Sequence, residues 1–244
     1  MVINDEGIII GQKKFGERGI ILTVFSMDNG LVRGLNRISK NKNKPLLFDL
    51  ISFSWKSRIS NGLGYINFEV LKTFFSSKEK YIFTLLKASA SEICLKLLPQ
   101  KEANKKIYID LTRLVQLELA INKNDFFKLF KLYILWEISL LNNIGYGFDF
   151  TKCAVSGTNE NLAYISPKTG KVVCEKVGKP WDKRLLKLPQ FLIKDDAEIT
   201  KEELKKGFIL NEFFFHKILI NLSNQKTKKF IYRKELFNYF LNHY

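Results

Sequence analysis

Five short runs within the first 75 residues constrain the fold of this chain more than any other feature. They are "DEGIIIGQ" (5–12), "GIILTVFS" (19–26), "LVRGLNRI" (31–38), "FDLISFSWKSR" (48–58) and "GYINFEVLKTF" (64–74), each rich in β-branched and aromatic residues. Between them stand "FGERG", "MDNG", "NKNKP" and "ISNGLG", whose Gly, Asn and Pro suit tight turns. "DNG" marks a hairpin, because Asn and Gly tolerate positive φ. In the fourth run Ile51, Phe53 and Trp55 alternate with Ser52, Ser54, Lys56 and Arg58. One face is therefore apolar and the other polar and cationic. Five consecutive strands in so short a span form either a meander or a small closed barrel. The expectation for residues 1–76 is the five-stranded OB barrel, a recurrent nucleic-acid binder.

From Lys78 the hydrophobic period lengthens. "KYIFTLLKASASEICLKLLP" carries apolar residues at three- and four-residue spacing and stops at Pro99. "NKKIYIDLTRLVQLELAIN" repeats the pattern. "NDFFKLFKLYILWEISLLNNIG" runs from an Asn124 N-cap to Gly145, and its wide apolar girth predicts the central helix of a bundle. Residues 147–178 shift to Gly, Thr, Asn and Ser with short β-like pieces and read as a ribbon-like segment. Helices are expected again at "PWDKRLLKLPQFLI", after the capping box "TKEE" (200–203), and at "KFIYRKELFNYFLNHY". The expected class is α+β, with an OB domain at 1–76 and a mostly helical domain at 77–244.

Charge narrows the function. The net charge is +16, which suits a polyanionic partner. Heavy use of Lys, Asn, Ile and Phe is also what A+T-rich codons produce, so a single lysine is weakly informative. Arginine runs against that bias, and Arg18, Arg33, Arg37 and Arg58 all fall in the first 60 residues. With Lys13, Lys14, Lys40, Lys42, Lys44 and Lys56 they are the candidate nucleic-acid contacts, since neutralising phosphates releases condensed counterions. Phe53 and Trp55 share the apolar strand face and read as core. Phe15, in a loop with Lys13, Lys14 and Arg18, is the candidate stacking residue.

Catalytic punctuation is missing. "GQKKFGER" (11–18) places Glu17 where a phosphate-binding loop needs Lys, and a carboxylate there repels phosphate. "GYGFDF" (145–150) lacks a third glycine and follows a helix rather than a strand. The two histidines, His216 and His243, have no ligand-spaced partner. An enzyme is not expected. Cys153 and Cys174 sit where a zinc ribbon begins each half, but Ser156 and Val177 stand three residues on. Zinc is therefore not expected, and neither is any other cofactor. Three cysteines without C-x-x-C fit a reducing compartment. The apolar stretch 126–145 is broken by Lys128, Lys131 and Glu137, and no secretory leader is apparent. The cytoplasm, in association with the nucleoid, is the expected location.

Two longer stretches carry a resemblance. "DEGIII…KKFGERGIILTVFSMDNGLVRGLNR" resembles the start of the RecO family of bacterial recombination mediators. "LYILWEISLLNNIGYGFDFTKCAVSG" followed by "LAYISPKTGKVVC" resembles that family's helix, Leu-Gly-(Tyr/Phe)-Gly turn and ribbon-like segment, in the form of its alphaproteobacterial branch. The resemblance implies an OB domain, a helical domain and no turnover. It implies binding of single- and double-stranded DNA and annealing of complementary strands. The implied partners are RecR and the acidic tail of single-stranded-DNA-binding protein (SSB), which together let RecA load. Such a tail needs an apolar notch rimmed by cations, for which Arg113, Lys128 and Lys131 are the candidates. A basic OB protein that binds RNA is the alternative reading, and an adaptor whose charge is codon drift is a third.

Overall fold

The computed structural model describes residues 1–37, 44–59, 62–74, 81–117, 126–222 and 229–244. The chain divides into two compact units, one of Met1–Ala120 with Phe230–Tyr239 and one of Ile121–Lys229 with Phe240–Tyr244.

In the first unit β1 (Val2–Phe15), β2 (Gly19–Ser26), β3 (Gly30–Arg37), β4 (Leu50–Lys56) and β5 (Gly64–Lys72) close into a barrel of order β1-β2-β3-β5-β4. This is the OB arrangement. Every pairing is antiparallel except β3 with β5, which runs parallel through Gly34↔Gly64 and Leu35↔Tyr65. The closing pair is glycine on glycine for a steric reason. A Cβ on Gly64 would lie 2.3 Å from Trp55 Nε1, and one on Gly34 would lie 2.6 Å from Ile66. The buried indole of Trp55 fills that space and donates to the Arg33 carbonyl at 2.8 Å, so its N–H is not orphaned. Around it lie Ile3, Ile9, Leu22, Val24, Val32, Ile51, Phe53 and Ile66. Each large apolar side chain buried this way contributes about 1.5–3 kcal/mol.

Strand β1 is longer than its sequence run, because pairing with β2 persists to Phe15↔Gly19 before a tight turn with Gly16 at φ 64°. Lys13, Lys14 and Phe15 are consequently strand residues and not loop residues. A bulge between Ile9 and Gly11 shifts the β1 register, and residues 7–11 are buried throughout. Helix α1 (Tyr81–Leu97) packs on this strand, where a Cβ on Gly11 would meet Leu95 at 3.3 Å. Helix α2 (Lys105–Leu117) follows, and Asn124 lies outside the described residues.

In the second unit α3 (Phe126–Leu141) packs against α5 (Lys201–Leu222). Between them the chain makes a π-helical turn (Asn142–Tyr146), then β6 (Leu162–Ile165), β7 (Val172–Cys174) and the single turn α4 (Glu175–Gly178). The stretch "PWDKRLLKLPQFLI" is not the expected helix. It forms a 3-10 segment (Lys179–Arg184), strand β8 (Leu186–Lys187) and a 3-10 turn (Gln190–Leu192). Pro189 has no N–H to donate and holds an extended ψ of 130°, while β8 completes a sheet of order β7-β6-β8. Helix α6 (Ile231–His243) belongs to the first unit as far as Tyr239 and to the second from Phe240. No helix among the described residues is long and apolar enough to cross a membrane.

Candidate nucleic-acid interface

The folded barrel places Arg37 and Lys56 beside one exposed aromatic ring, Tyr65, with Arg58 lining the same cleft. Arg37 ends β3 opposite Gly19, and its guanidinium carbon lies 6.0 Å from the ring centre of Tyr65 on β5. Tyr65 pairs with Lys56 on β4, and Lys56 pairs with Val2 on β1. Arg58 follows two residues beyond β4. Met1 lies beside this row, and its nitrogen donates to the Ser57 carbonyl at 2.9 Å. Ser57 N–H returns a bond to the Met1 carbonyl at 3.1 Å. Met1, Val2, Lys56, Arg58, Leu63 and Tyr65 are among the residues lining a cleft of about 810 Å³. Its lining mixes the apolar Met1, Val2, Ile59 and Leu63 with the cationic Lys56 and Arg58. Tyr65 is 55% exposed and Leu63 48% exposed, more than a packing role requires.

The other predicted contacts disperse around this row. Phe15 is 53% exposed and pairs with Gly19, itself the partner of Arg37. Arg18 is exposed in the turn between them. Lys14 sits on β1 opposite Ile20. Lys13 and Arg33 line a smaller hollow with Gln12, Thr23 and Gln100. Lys44 is exposed, while Lys40 and Lys42 lie outside the described residues. Phe53 and Trp55 are core, as their alternation predicts.

Sequence reasoning passed over one group here, Tyr65. The alternation in "GYINFEVLK" sends Ile66 inward and therefore Tyr65 outward. What the letters did not carry is that Tyr65 pairs with Lys56 and faces Arg37.

The cations considered for an acidic tail fall in different units. Arg113 lies in the first, 73% exposed on its side chain, with Nη1 4.0 Å from Asp110 Oδ1 one helical turn away. Lys128 and Lys131 lie on α3 in the second, and Lys131 Nζ stands 5.8 Å from the Phe191 ring centre.

The ribbon brings Cys153, Ser156 and Cys174 together. Ser156 N–H approaches Cys153 Sγ at 3.4 Å, and Ser156 Oγ lies 3.5 Å from Cys174 Sγ. Burial pushes the Cys153 thiol up. Hydrogen bonds from the Ser156 hydroxyl and from the backbone N–H groups of Ser156, Cys174 and Val155 outweigh it and bring the thiol down to about 6. Two thiols, a hydroxyl and the Val177 isopropyl group are not a zinc donor set. Among the described residues no group of three His, Cys, Asp or Glu is placed to hold a metal.

Comparison with known proteins agrees over the whole chain. Residues 1–74 match the family model described as recombination protein O N terminal, and residues 82–216 match recombination protein O C terminal. A protein of Ehrlichia chaffeensis named DNA repair protein RecO is 34% identical over 95% of both chains. Its namesake from Rickettsia typhi is 33% identical over 99% of this chain and 100% of its own. That of Rickettsia peacockii is 32% identical over the full length of both.

Proposed function

This chain belongs to the RecO family of DNA repair and recombination proteins, and from that membership we propose that it is a recombination mediator acting by binding alone. It holds single- and double-stranded DNA on the barrel, anneals complementary strands and, with RecR, lets RecA load onto SSB-coated DNA. The observation that carries the DNA-binding part is an open cleft on a closed OB barrel lined by Tyr65, Lys56 and Arg58, with Arg37 beside the Tyr65 ring. Exposed cations on separate strands meet a flexible phosphate backbone without reading its sequence. An aromatic face beside them accepts any unstacked base. Annealing needs that indifference to sequence.

Lys13, Lys14, Arg18, Arg33, Lys40, Lys42 and Lys44 extend the phosphate-binding surface. The acidic SSB tail is recognised in the helical part of the chain, by Arg113 or by Lys128 and Lys131. The ribbon holds its shape through the Ser156 bonds and without a metal. Cells carry the protein in the cytoplasm, on the nucleoid.

The deciding experiment is annealing of complementary strands coated with SSB, with and without RecR. Acceleration by this protein is the expected result. Binding that prefers matched RNA over single-stranded DNA in direct competition would replace the DNA reading with the RNA one.

A further inference from the structure

The second unit carries an aromatic feature that the barrel reading does not use. Tyr146, Phe148 and Phe150 alternate along the chain after α3 and stack in sequence. The Tyr146 and Phe148 ring centres are 6.3 Å apart at 23° between planes, and those of Phe148 and Phe150 are 5.7 Å apart at 12°. The backbone is shaped for this staircase. Gly145 and Gly147 take φ of 103° and 54°, and Asn142 Oδ1 accepts the Phe148 N–H at 2.7 Å. Its inner rungs are anchored edge-on against buried Phe214, at 5.2 Å from Tyr146 and 4.8 Å from Phe148.

Phe150 is the outer rung, and it lines a cavity of about 460 Å³. That volume falls in the range of small-ligand sites. The other lining residues include Asn159, Asn161, Gln190 and Lys194. Gln190 Nε2 is held by the Leu162 and Leu188 carbonyls, at 3.2 and 3.5 Å, which leaves its oxygen as an acceptor. Lys152 and Lys171 are exposed and close enough to Asp149 to act on it electrostatically. Asp149 itself accepts from Thr151, at 2.9 Å from N–H and 2.6 Å from the hydroxyl.

We propose that Phe150 and the amide-lined cavity beside it bind unstacked nucleobases, making the second unit a further single-strand contact apart from the barrel. A flat ring backed by two more in near-parallel stack presents the surface on which a base lies. Amides bond the donor and acceptor edges of bases. Lys152, Lys171 and Lys194 supply charge for the phosphates on either side. A base inside a duplex is already stacked and paired, so this site takes single strands. The proposal rests on the nucleic-acid reading above, and its test keeps the two apart.

The test uses the full chain and two labelled strands of equal length, one of thymidine nucleotides and one abasic. Phe150→Leu preserves apolar volume and removes the ring. It is expected to weaken thymidine-strand binding by about fivefold or more and to leave abasic-strand binding unchanged. Asn161→Asp, which alters charge without volume, is expected to weaken the thymidine strand as well. Photocrosslinking of a strand carrying 5-iododeoxyuridine should label the peptide containing Phe148 and Phe150 in the wild-type chain. Labels confined to the barrel, or thymidine-strand affinity unchanged in both variants, overturns the proposal while the barrel reading stands. Equal losses on both strands in Phe150→Leu also overturns it, because the ring then only supports the surface. If the wild-type chain binds neither strand at low salt, the barrel reading fails with it.

Discussion

Replacing Arg37, Lys56 and Arg58 together by Gln tests the barrel cleft through its salt dependence. All three side chains are exposed, and none belongs to the barrel core. Changes at such positions usually move stability by about ±0.5 kcal/mol. Arg37 also loses its position over the Tyr65 ring, a contact worth about 0.5–1 kcal/mol at an exposed site. The triple variant should therefore unfold within about 2.5 kcal/mol of the wild type in a urea titration. Binding should change far more. Each single-strand phosphate contact contributes about 0.7 to the slope of log K against log salt, so losing three flattens it by about 2. Raising salt from about 50 to about 200 mM should then cost the wild type roughly twentyfold more affinity than it costs the variant. Fluorescence anisotropy with a labelled single strand at four or more salt concentrations reads this directly. An unchanged slope in a folded variant would remove these three residues from the phosphate contacts and refute the cleft as the DNA site.

Gly64→Ala should destabilise the chain by about 2–4 kcal/mol, because the new Cβ meets the Trp55 indole and displaces its bond to the Arg33 carbonyl. A loss below about 1 kcal/mol in urea unfolding, on a scale where overpacking costs 1–3, counts against the glycine closure described above. Purified protein should hold well under one zinc per chain by elemental analysis. The double variant Ser156→Cys with Val177→Cys should gain about one zinc per chain and unfold at a higher temperature. Stoichiometric zinc in the wild type defeats the donor-set argument. A peptide copying an acidic SSB tail should bind the full chain more weakly as salt rises, and Arg113→Glu should weaken it without changing single-strand affinity. Equal binding by that variant shifts the tail site to another residue, such as Lys128 or Lys131.

Local chemistry wrote much of the first unit into the letters. Alternation placed Ile51, Phe53 and Trp55 inside and Lys56 outside, because a strand's two faces differ in solvent whatever the strand pairs with. Turn residues separated the five strands for equally local reasons. The same local reading misjudged the reach of β1, since pairing with β2 and not the side chains of Lys13, Lys14 and Phe15 keeps those residues extended. It misjudged residues 180–193 as well, where leucines at helical spacing are drawn into a sheet by β6.

The candidate site divides along the same line. The cations at 33–58 and the ribbon's Cys153 and Cys174 with Ser156 and Val177 three residues on are facts of composition and spacing, and the sequence determined them unaided. Tertiary structure alone decided which of them meet. Arg37 faces Tyr65 only because β3 and β5 run parallel across Gly34 and Gly64, a pairing between residues 30 apart that no local rule specifies. The aromatic staircase also depends on folding, since Tyr146, Phe148 and Phe150 align once Gly145 and Gly147 turn left-handed and Phe214 of α5 supports them. Side-chain character is a property of each residue, whereas coincidence in space is set by the free energy of the whole packed chain.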